Sequence, residues 1–379
     1  MTVATTNIPA APASDWPFVA AAVLIVALLA GLVLIDGQPT SAMLLGLGFC
    51  LGVAFLKFEF SFTASWRRFV ARGDAGGLLS ILILIAVLAV AVVPVATSWE
   101  NYGGSIAPIG PSLVVGAFTF GIGMQLANGC GSGTLYTVGG GSGRMLITLA
   151  LFIAGSVLGS ISLPTFLNMG GIDPVLAGNY FGPWGGLAVT LASIALVALL
   201  IFMIARKRGG STQINIPFTI GAIVIAGVMI GAFFAGGHPW SVTFGYTVWG
   251  AKLATLMGFD LSGHEFWQWA GPKHALTDSM LGDTASLTNI GMIFGAMAAA
   301  ALAGPFARGP WPPAKSLIAA GIGGLLMGWG ARLGFGCNIG AFVGGVASGS
   351  LHGWIWFAAA LAGCTVGIRL RPWFGLPRE

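Results

Sequence analysis

Long apolar runs constrain this sequence more than any other feature. Runs long enough to cross a hydrocarbon layer of roughly 30 Å as a helix, which takes about 20 residues, lie near 17–35, 77–97, 144–163, 185–205, 215–236 and 286–307. Shorter or glycine-broken apolar segments lie near 41–57, 111–128, 242–257, 315–333 and 352–368. The pattern predicts an all-α polytopic membrane protein with about 9–11 membrane helices, some of them short re-entrant half-helices.

Charged residues are too few for a soluble protein of this length. Of 379 residues, 56% are hydrophobic and 7% are charged, with 11 Asp and Glu in total. Helices that face lipid need apolar residues on their outer side as well, which explains this composition. The net charge of +5 comes from Lys and Arg in short clusters between apolar runs. It therefore indicates membrane topology, and we expect no nucleic acid partner.

The basic clusters predict the orientation of the chain, because cytoplasmic loops are enriched in Lys and Arg. These clusters are Arg67, Arg68 and Arg72; Arg206, Lys207 and Arg208; Arg308 and Lys315; and Arg369 and Arg371. Loops with Asp36, Glu100 and Asp173, and the stretch 260–283, then face outward. If 242–257 enters and leaves on the outer side, both termini are cytoplasmic. We predict a multi-pass protein of a bacterial-type cytoplasmic (inner) membrane, with its first apolar run retained as a helix.

The chain contains an internal repeat. A shift of 207 positions aligns "GIGMQLANGCGSG" (121–133) with "GWGARLGFGCNIG" (328–340), with six identical residues in thirteen. We predict residues 1–40 as a tail and first helix, 41–208 as a first membrane repeat and 209–379 as a second, in one integral membrane domain. An odd number of crossings between the copies makes the repeat inverted, with pseudo-twofold symmetry. Paired glycine-broken segments in inverted repeats are typical of transporter substrate sites.

The repeated motif suits an anion. Glycines allow sharp backbone turns, and a helix that begins after them presents free N–H groups. A thiol is a soft, weak donor that can contact a sulfur-bearing anion. The alternative is that the glycines are helix-packing residues and the cysteines are inert. The candidate substrate-binding residues are Cys50, Cys130, Cys337, Gly129, Gly131, Gly133, Gly336, Asn338 and Gly340.

Other chemistry has little support in the sequence. The four cysteines have no CxxC spacing, so we expect no metal, no cofactor and no catalytic residues. For Cys364 we expect inert packing. A membrane thiol redox protein and a structural membrane scaffold remain alternatives to a transporter.

Arg332 is a possible anion-attracting residue. It lies five positions before Cys337, near the predicted outer mouth, although snorkelling to the interface is the alternative. Gln125 occupies the equivalent position before Cys130. We therefore predict that the inner mouth is less positive than the outer mouth, which would favour entry from outside.

Several motifs resemble the YeeE/YedE family of sulfur-transport membrane proteins. They are "GCGSGTLY", "GCNIGAFVGGVASGSLHGW", "GFC" and "FSFTASWRRF", and the resemblance covers roughly 41–368. It implies a bundle of spanning and half-helices in which three cysteines pass thiosulfate inward, here Cys50, Cys130 and Cys337 by motif. It also implies a small cytoplasmic sulfurtransferase as receiver. The outer stretch 258–284 and Cys364 depart from the family pattern, and a selenium or other sulfur species is an alternative solute.

Overall fold

A computed structural model describes residues 14–307 and 311–379. The predicted tail before residue 14 and Arg308 of the third basic cluster lie outside the described residues. The described chain is 77% helical and forms no strand. In the predicted first half, the helices are α1 (Trp16–Ile35), α2 (Pro39–Lys57), α3 (Phe62–Arg72), α4 (Gly76–Ser98), α5 (Pro111–Ala127), α6 (Gly131–Gly139), α7 (Gly143–Leu167) and α8 (Ala177–Lys207).

The remaining helices follow in the predicted second half. They are α9 (Ile216–Gly236), α10 (Val242–Leu256), α11 (Ala270–Thr277), α12 (Thr284–Ala303), α13 (Ala314–Leu333), α14 (Gly344–Ala347) and α15 (Leu351–Leu370). A π-helical segment, Asn338–Val343, runs directly into α14. Short 3₁₀ turns occupy Glu265–Gln268, Met280–Gly282 and Arg371–Phe374.

The prediction of a polytopic membrane protein is confirmed. Within the described ranges, 10 helical stretches are long and apolar enough to cross a membrane. The segment predicted near 242–257 forms α10, which has only 15 residues and is not among these stretches. It fits the predicted half-span, since about 20 residues are needed to cross.

Close backbone contacts at glycines join the main helix pairs. A methyl group added at Gly52 of α2 would lie 2.1 Å from the carbonyl oxygen of Met292, and one added at Gly295 of α12 would lie 2.0 Å from that of Phe49. Similar contacts join α5 to α13 at Gly123 and Gly323. Helices in lipid associate by close packing of small residues, because apolar surface gains nothing by leaving lipid. These glycines therefore hold the bundle together.

Several helices of each predicted half pack on helices of the other half, and we call this the exchange of packing partners. Helix α2 packs on α12, whereas α9 packs on α4; helix α5 packs on α15, whereas α13 packs on α7. Helices α5 and α13 also pack against each other. A twofold relation between the halves would produce this pattern, and it places the ends of α5 and α13 in the interior. The inverted orientation and the boundaries at 41 and 209 stay predictions.

Candidate functional site

The sequence repeat is also a repeat of backbone conformation. After α5, Asn128 has a left-handed backbone with φ of 63°, and after α13, Phe335 has φ of 59°. These two residues occupy equivalent positions in the 207-residue alignment. A non-glycine residue in this conformation costs roughly 1–2 kcal/mol. Cys130 (φ −96°, ψ −167°) and Cys337 (φ −108°, ψ −164°) then both adopt an extended conformation.

A helical segment begins directly after each cysteine. Helix α6 follows Cys130, whose carbonyl accepts from the Thr134 N–H at 2.8 Å and whose Sγ accepts from the Gly133 N–H at 3.4 Å. The π-helical segment follows Cys337, whose carbonyl accepts from the N–H of Ala341 at 2.9 Å. The first turn of a helix leaves backbone N–H groups without helical partners. Each cysteine therefore lies at a helix start that favours negative charge.

Two short segments, 128–131 and 334–338, carry Cys130 and Cys337 between helices, and we call them the first and second cysteine loops. The two cysteine loops meet in the interior. Cys130 is 2% exposed and Cys337 is fully buried. A methyl group added at Gly131 would lie 2.8 Å from Sγ of Cys337 and 3.4 Å from a methyl carbon of Thr243. The buried Tyr246 hydroxyl donates to the Gly131 carbonyl at 2.8 Å. Helix α10 thus closes the place where the first loop touches the second, and a side chain at position 131 would displace the Cys337 sulfur.

Asn338 is the least satisfied polar group next to the cysteines. Its side chain is fully buried, and neither its amide nitrogen nor its amide oxygen has a hydrogen-bond partner among the described residues. A buried polar group without a partner costs about 1–3 kcal/mol. The amide of the residue that follows Cys337 therefore has unused hydrogen-bonding capacity.

The predicted glycines divide into two kinds. Gly121 and Gly123, early in the first motif, pack against helix backbones, since added methyl groups would lie 2.1 Å from the Ala360 oxygen and 2.6 Å from the Gly323 oxygen. The later glycines lie at the loops. Gly129 lies beside the Met145 thioether, Gly133 beside the Cys130 sulfur, Gly336 beside the Ala341 nitrogen, and the Gly340 carbonyl accepts from Ser105. Helix packing therefore explains the first kind, and a binding role for the second kind stays a prediction.

Cys50 does not join the two buried cysteines. It is exposed on α2, whereas Gly48 and Gly52 of the same helix contact the α12 backbone. Residues two positions apart lie about 200° apart around a helix, so Cys50 points away from α12. The fourth cysteine, Cys364, is buried and accepts from the Gln125 amide at 3.5 Å.

Arg332 is held between two aromatic rings. Its guanidinium carbon lies 5.8 Å from the ring centre of Phe244 in α10 and 5.3 Å from that of Phe266. Its Nε and Nη1 atoms are buried without a hydrogen-bond partner in the described chain. Phe266 belongs to the outer stretch 258–284, which the sequence motifs leave without a role. This stretch therefore covers the arginine predicted to attract the anion.

The prediction of a less positive mouth beside Gln125 is wrong, because three arginines gather there. Arg67 Nη1 donates to the Asn128 side chain at 2.6 Å. Arg144 donates to the carbonyls of Leu126 and Ala127, and Arg371 donates to that of Gln125. They come from α3, α7 and the turn after α15, so no local pattern predicts their meeting. The carbonyls at the end of α5 attract them, because a helix C-terminus carries partial negative charge.

Possible metal ligands are scattered. Across residues 14–307 and 311–379 there is no group of three or more His, Cys, Asp or Glu side chains that could hold a metal ion. The chemistry that the site offers is therefore that of buried thiols, backbone N–H groups and one free amide.

Two helices are broken, α5 before Cys130 and α13 before Cys337, and the breaks meet at these buried cysteines inside a bundle of apolar helices. This arrangement defines a multi-pass membrane protein built like a transporter. The chain belongs to the Sulphur transport family, whose sequence model matches residues 57–366. This confirms the resemblance carried by the two GC motifs.

Relatives of known description agree with this family. The thiosulfate transporter TsuA of Spirochaeta thermophila is 29% identical over 256 residues, which cover 64% of this chain and 72% of that protein. The probable transporter YedE of Escherichia coli is 35% identical over 162 residues, which cover 42% of this chain and 39% of that protein. YedE of Salmonella typhimurium is 33% identical over 160 residues, or 41% and 39% of the two chains. All three relatives are named as transporters or probable transporters, which is the class of protein that the sequence predicts for this chain.

Proposed function

We propose that this protein takes up thiosulfate, or a closely related inorganic sulfur anion, through a path that passes Cys130 and Cys337. The observation that carries the proposal is the contact between the two loops, where the Cys337 sulfur lies against Gly131. The name of the relative TsuA adds support for the solute.

The groups around this contact suit a sulfur oxyanion. Thiols donate weak hydrogen bonds and are polarizable, so they stabilise a passing anion without holding it tightly. A helix start, which favours an anion, follows each of the two cysteines. The free amide of Asn338 adds a donor beside Cys337. Glycines 129, 131, 133, 336 and 340 keep the backbone close enough for these contacts.

Entry and exit are part of the same proposal. Arg332, with two buried unpartnered nitrogen atoms, attracts the anion at the predicted outer mouth. Cys50 is retained from the family resemblance as a third contact, although nothing in the packing of α2 adds support for it. We propose the cytoplasmic membrane as the location, with both termini inside and a cytoplasmic sulfurtransferase as receiver.

Cysteine substitutions test the path directly. In a host that depends on this protein for growth on thiosulfate, Cys130→Ala and Cys337→Ala should abolish growth, because each removes one of the two buried thiols. Cys364→Ala, a buried cysteine outside the loops, is the matched control and should grow normally. Membrane levels of each variant are measured by immunoblot. Normal growth of both loop variants would contradict the proposed path and favour the scaffold interpretation.

Competition identifies the solute. Uptake of labelled thiosulfate into proteoliposomes is measured with excess sulfate, sulfite or selenite outside. We expect unlabelled thiosulfate to compete much better than the others, because the path offers thiols to a terminal sulfur atom. Stronger competition by selenite would favour the selenium alternative.

A further inference from the structure

Three guanidinium groups converge at the end of α5, and none of them has a carboxylate partner among the residues that the structure describes. Arg67 and Arg371 both donate to the Asn128 side chain, at 2.6 and 3.4 Å. The charge of Arg371 lies close enough to those of Arg67 and Arg144 to be repelled by both. In the part of the chain that the structure describes, the ion pairs are Arg72 with Glu379 and His274 with Asp278. None of the three clustered arginines belongs to either pair.

The helix end alone does not balance this charge. A helix C-terminus carries about half a negative charge, whereas the three arginines carry three positive charges. About two and a half positive charges remain. Arg371 is only 2% exposed, whereas Arg67 and Arg144 are half-buried, so water screens only part of this excess. Such a cluster is costly unless a ligand with about two negative charges is present.

The cluster also has unused donor capacity and an open side. The Nε atom of Arg67 is buried and has no partner among the described residues. Asn128, which bridges Arg67 and Arg371, is exposed. It lies two residues before Cys130, at the end of the first cysteine loop. The two arginines that contact Asn128 therefore lie beside the first cysteine loop.

We propose that Arg67, Arg371 and Arg144 form a second binding site, for a small oxyanion with two negative charges, at the predicted cytoplasmic end of the path. The inference rests on the proposed function, since it makes the transported dianion the ligand. Arginine suits it because its planar fork binds oxyanions with paired hydrogen bonds. The arginines thus receive the anion from Cys130 before release.

The test compares transport kinetics at the two faces. Labelled thiosulfate movement is measured in vesicles of defined orientation, with the concentration varied on one face at a time. Arg67→Gln should raise the half-saturating concentration at the inner face at least about tenfold, which corresponds to the loss of one charged contact. The value at the outer face should not change. Arg206→Gln, an exposed arginine at the end of α8, is the matched control and should behave like the original protein.

Other outcomes are distinguishable. Arg67→Lys keeps the charge and should cause a smaller rise, which tests the site even if Arg67→Gln fails to fold. An unchanged inner value in a folded Arg67→Gln protein would overturn the inference but not the proposed function. No thiosulfate movement by the original protein would overturn the proposed function itself. An effect that requires anionic lipid would assign the arginines to a lipid headgroup, and a growth defect with normal vesicle kinetics would assign them to a protein partner; both would refute the anion site.

Discussion

At the scale of single residues, Gly131 of the first predicted half contacts the thiol of Cys337 in the second. Its carbonyl accepts a hydrogen bond from the Tyr246 hydroxyl, and its α-carbon lies next to the Cys337 sulfur. Any side chain there meets a sulfur atom on one side and Thr243 on the other. The position therefore couples helix packing to the spacing of the two cysteines.

Gly131→Ala should impair transport more than it impairs folding. The added methyl group would lie 2.8 Å from Cys337 Sγ, so the sulfur must move, at a cost of about 1–3 kcal/mol. We expect thiosulfate uptake to fall about tenfold while the protein remains in the membrane. Gly227→Ala, on α9 with nothing within 4 Å of the added methyl group, is the control. Equal uptake by the two variants would contradict a role for this contact.

Asn338→Leu should separate stability from function. The substitution removes a buried amide that lacks partners, so the unfolding temperature in detergent should rise. The expected gain is about 1–3 kcal/mol, the usual cost of such a group. Thiosulfate uptake should nevertheless fall, because the path loses a donor. A lower unfolding temperature with normal uptake would show that the amide serves the fold.

Sequence reasoning reached some of these residues and missed others for a physical reason. Cys130 and Cys337 were predictable, because each lies in the same local glycine frame. Arg67 and Arg371 were not, because they approach Asn128 from segments far apart in the chain. Tyr246 was missed for the same reason, since only the folded position of α10 brings its hydroxyl to Gly131.

At the scale of helices, the repeated motif combines two functions that look alike in sequence. Its early glycines let α5 and α13 pack backbone to backbone, and its later glycines shape the loops. Hydropathy predicted six of the eleven apolar segments as spanning helices and the other five as shorter spans or half-spans. Ten of the eleven belong to helical stretches long enough to cross a membrane, because long apolar runs leave few other structures in lipid. Hydropathy did not predict that α10 would close the site.

Gly295→Ala should destabilise the pairing of α2 with α12. The added methyl group would lie 2.0 Å from the backbone oxygen of Phe49, which cannot rotate away as a side chain can. We expect a loss of about 1–3 kcal/mol, measured as a lower unfolding temperature of the purified protein. Gly31→Ala on α1, where nothing lies within 4 Å of the new methyl group, should leave that temperature unchanged. A similar unfolding temperature for Gly295→Ala and Gly31→Ala would show that α2 and α12 separate easily.

At the scale of the whole molecule, the membrane potential limits what a simple path can achieve. Moving a dianion into a cell with a negative interior costs about 4.6 kcal/mol per 100 mV, twice the cost of one charge. A passive path cannot accumulate the anion against this potential. Under the proposed function, continued uptake beyond this equilibrium requires consumption by a cytoplasmic enzyme or a co-transported ion.

We expect the purified protein to equilibrate thiosulfate without concentrating it. In proteoliposomes with an inside-negative potential and no enzyme, the internal concentration should stay below the external one. Enclosing a thiosulfate-consuming sulfurtransferase, together with a thiol that accepts the transferred sulfur, should sustain continuous uptake. Accumulation above the external concentration without the enzyme would indicate ion coupling instead.

The exchange of packing partners between the halves restricts how such a molecule can open. Helices α2 with α12, and α5 with α13, touch at positions where no methyl group fits. Many inverted-repeat transporters open by rocking one half against the other. Here that motion would have to separate both pairs of surfaces at the same time. We therefore expect these four packed helices to act as a fixed frame. Opening would then be confined to small displacements of the two cysteine loops, and the conduction rate would depend on loop motion rather than on the movement of whole domains.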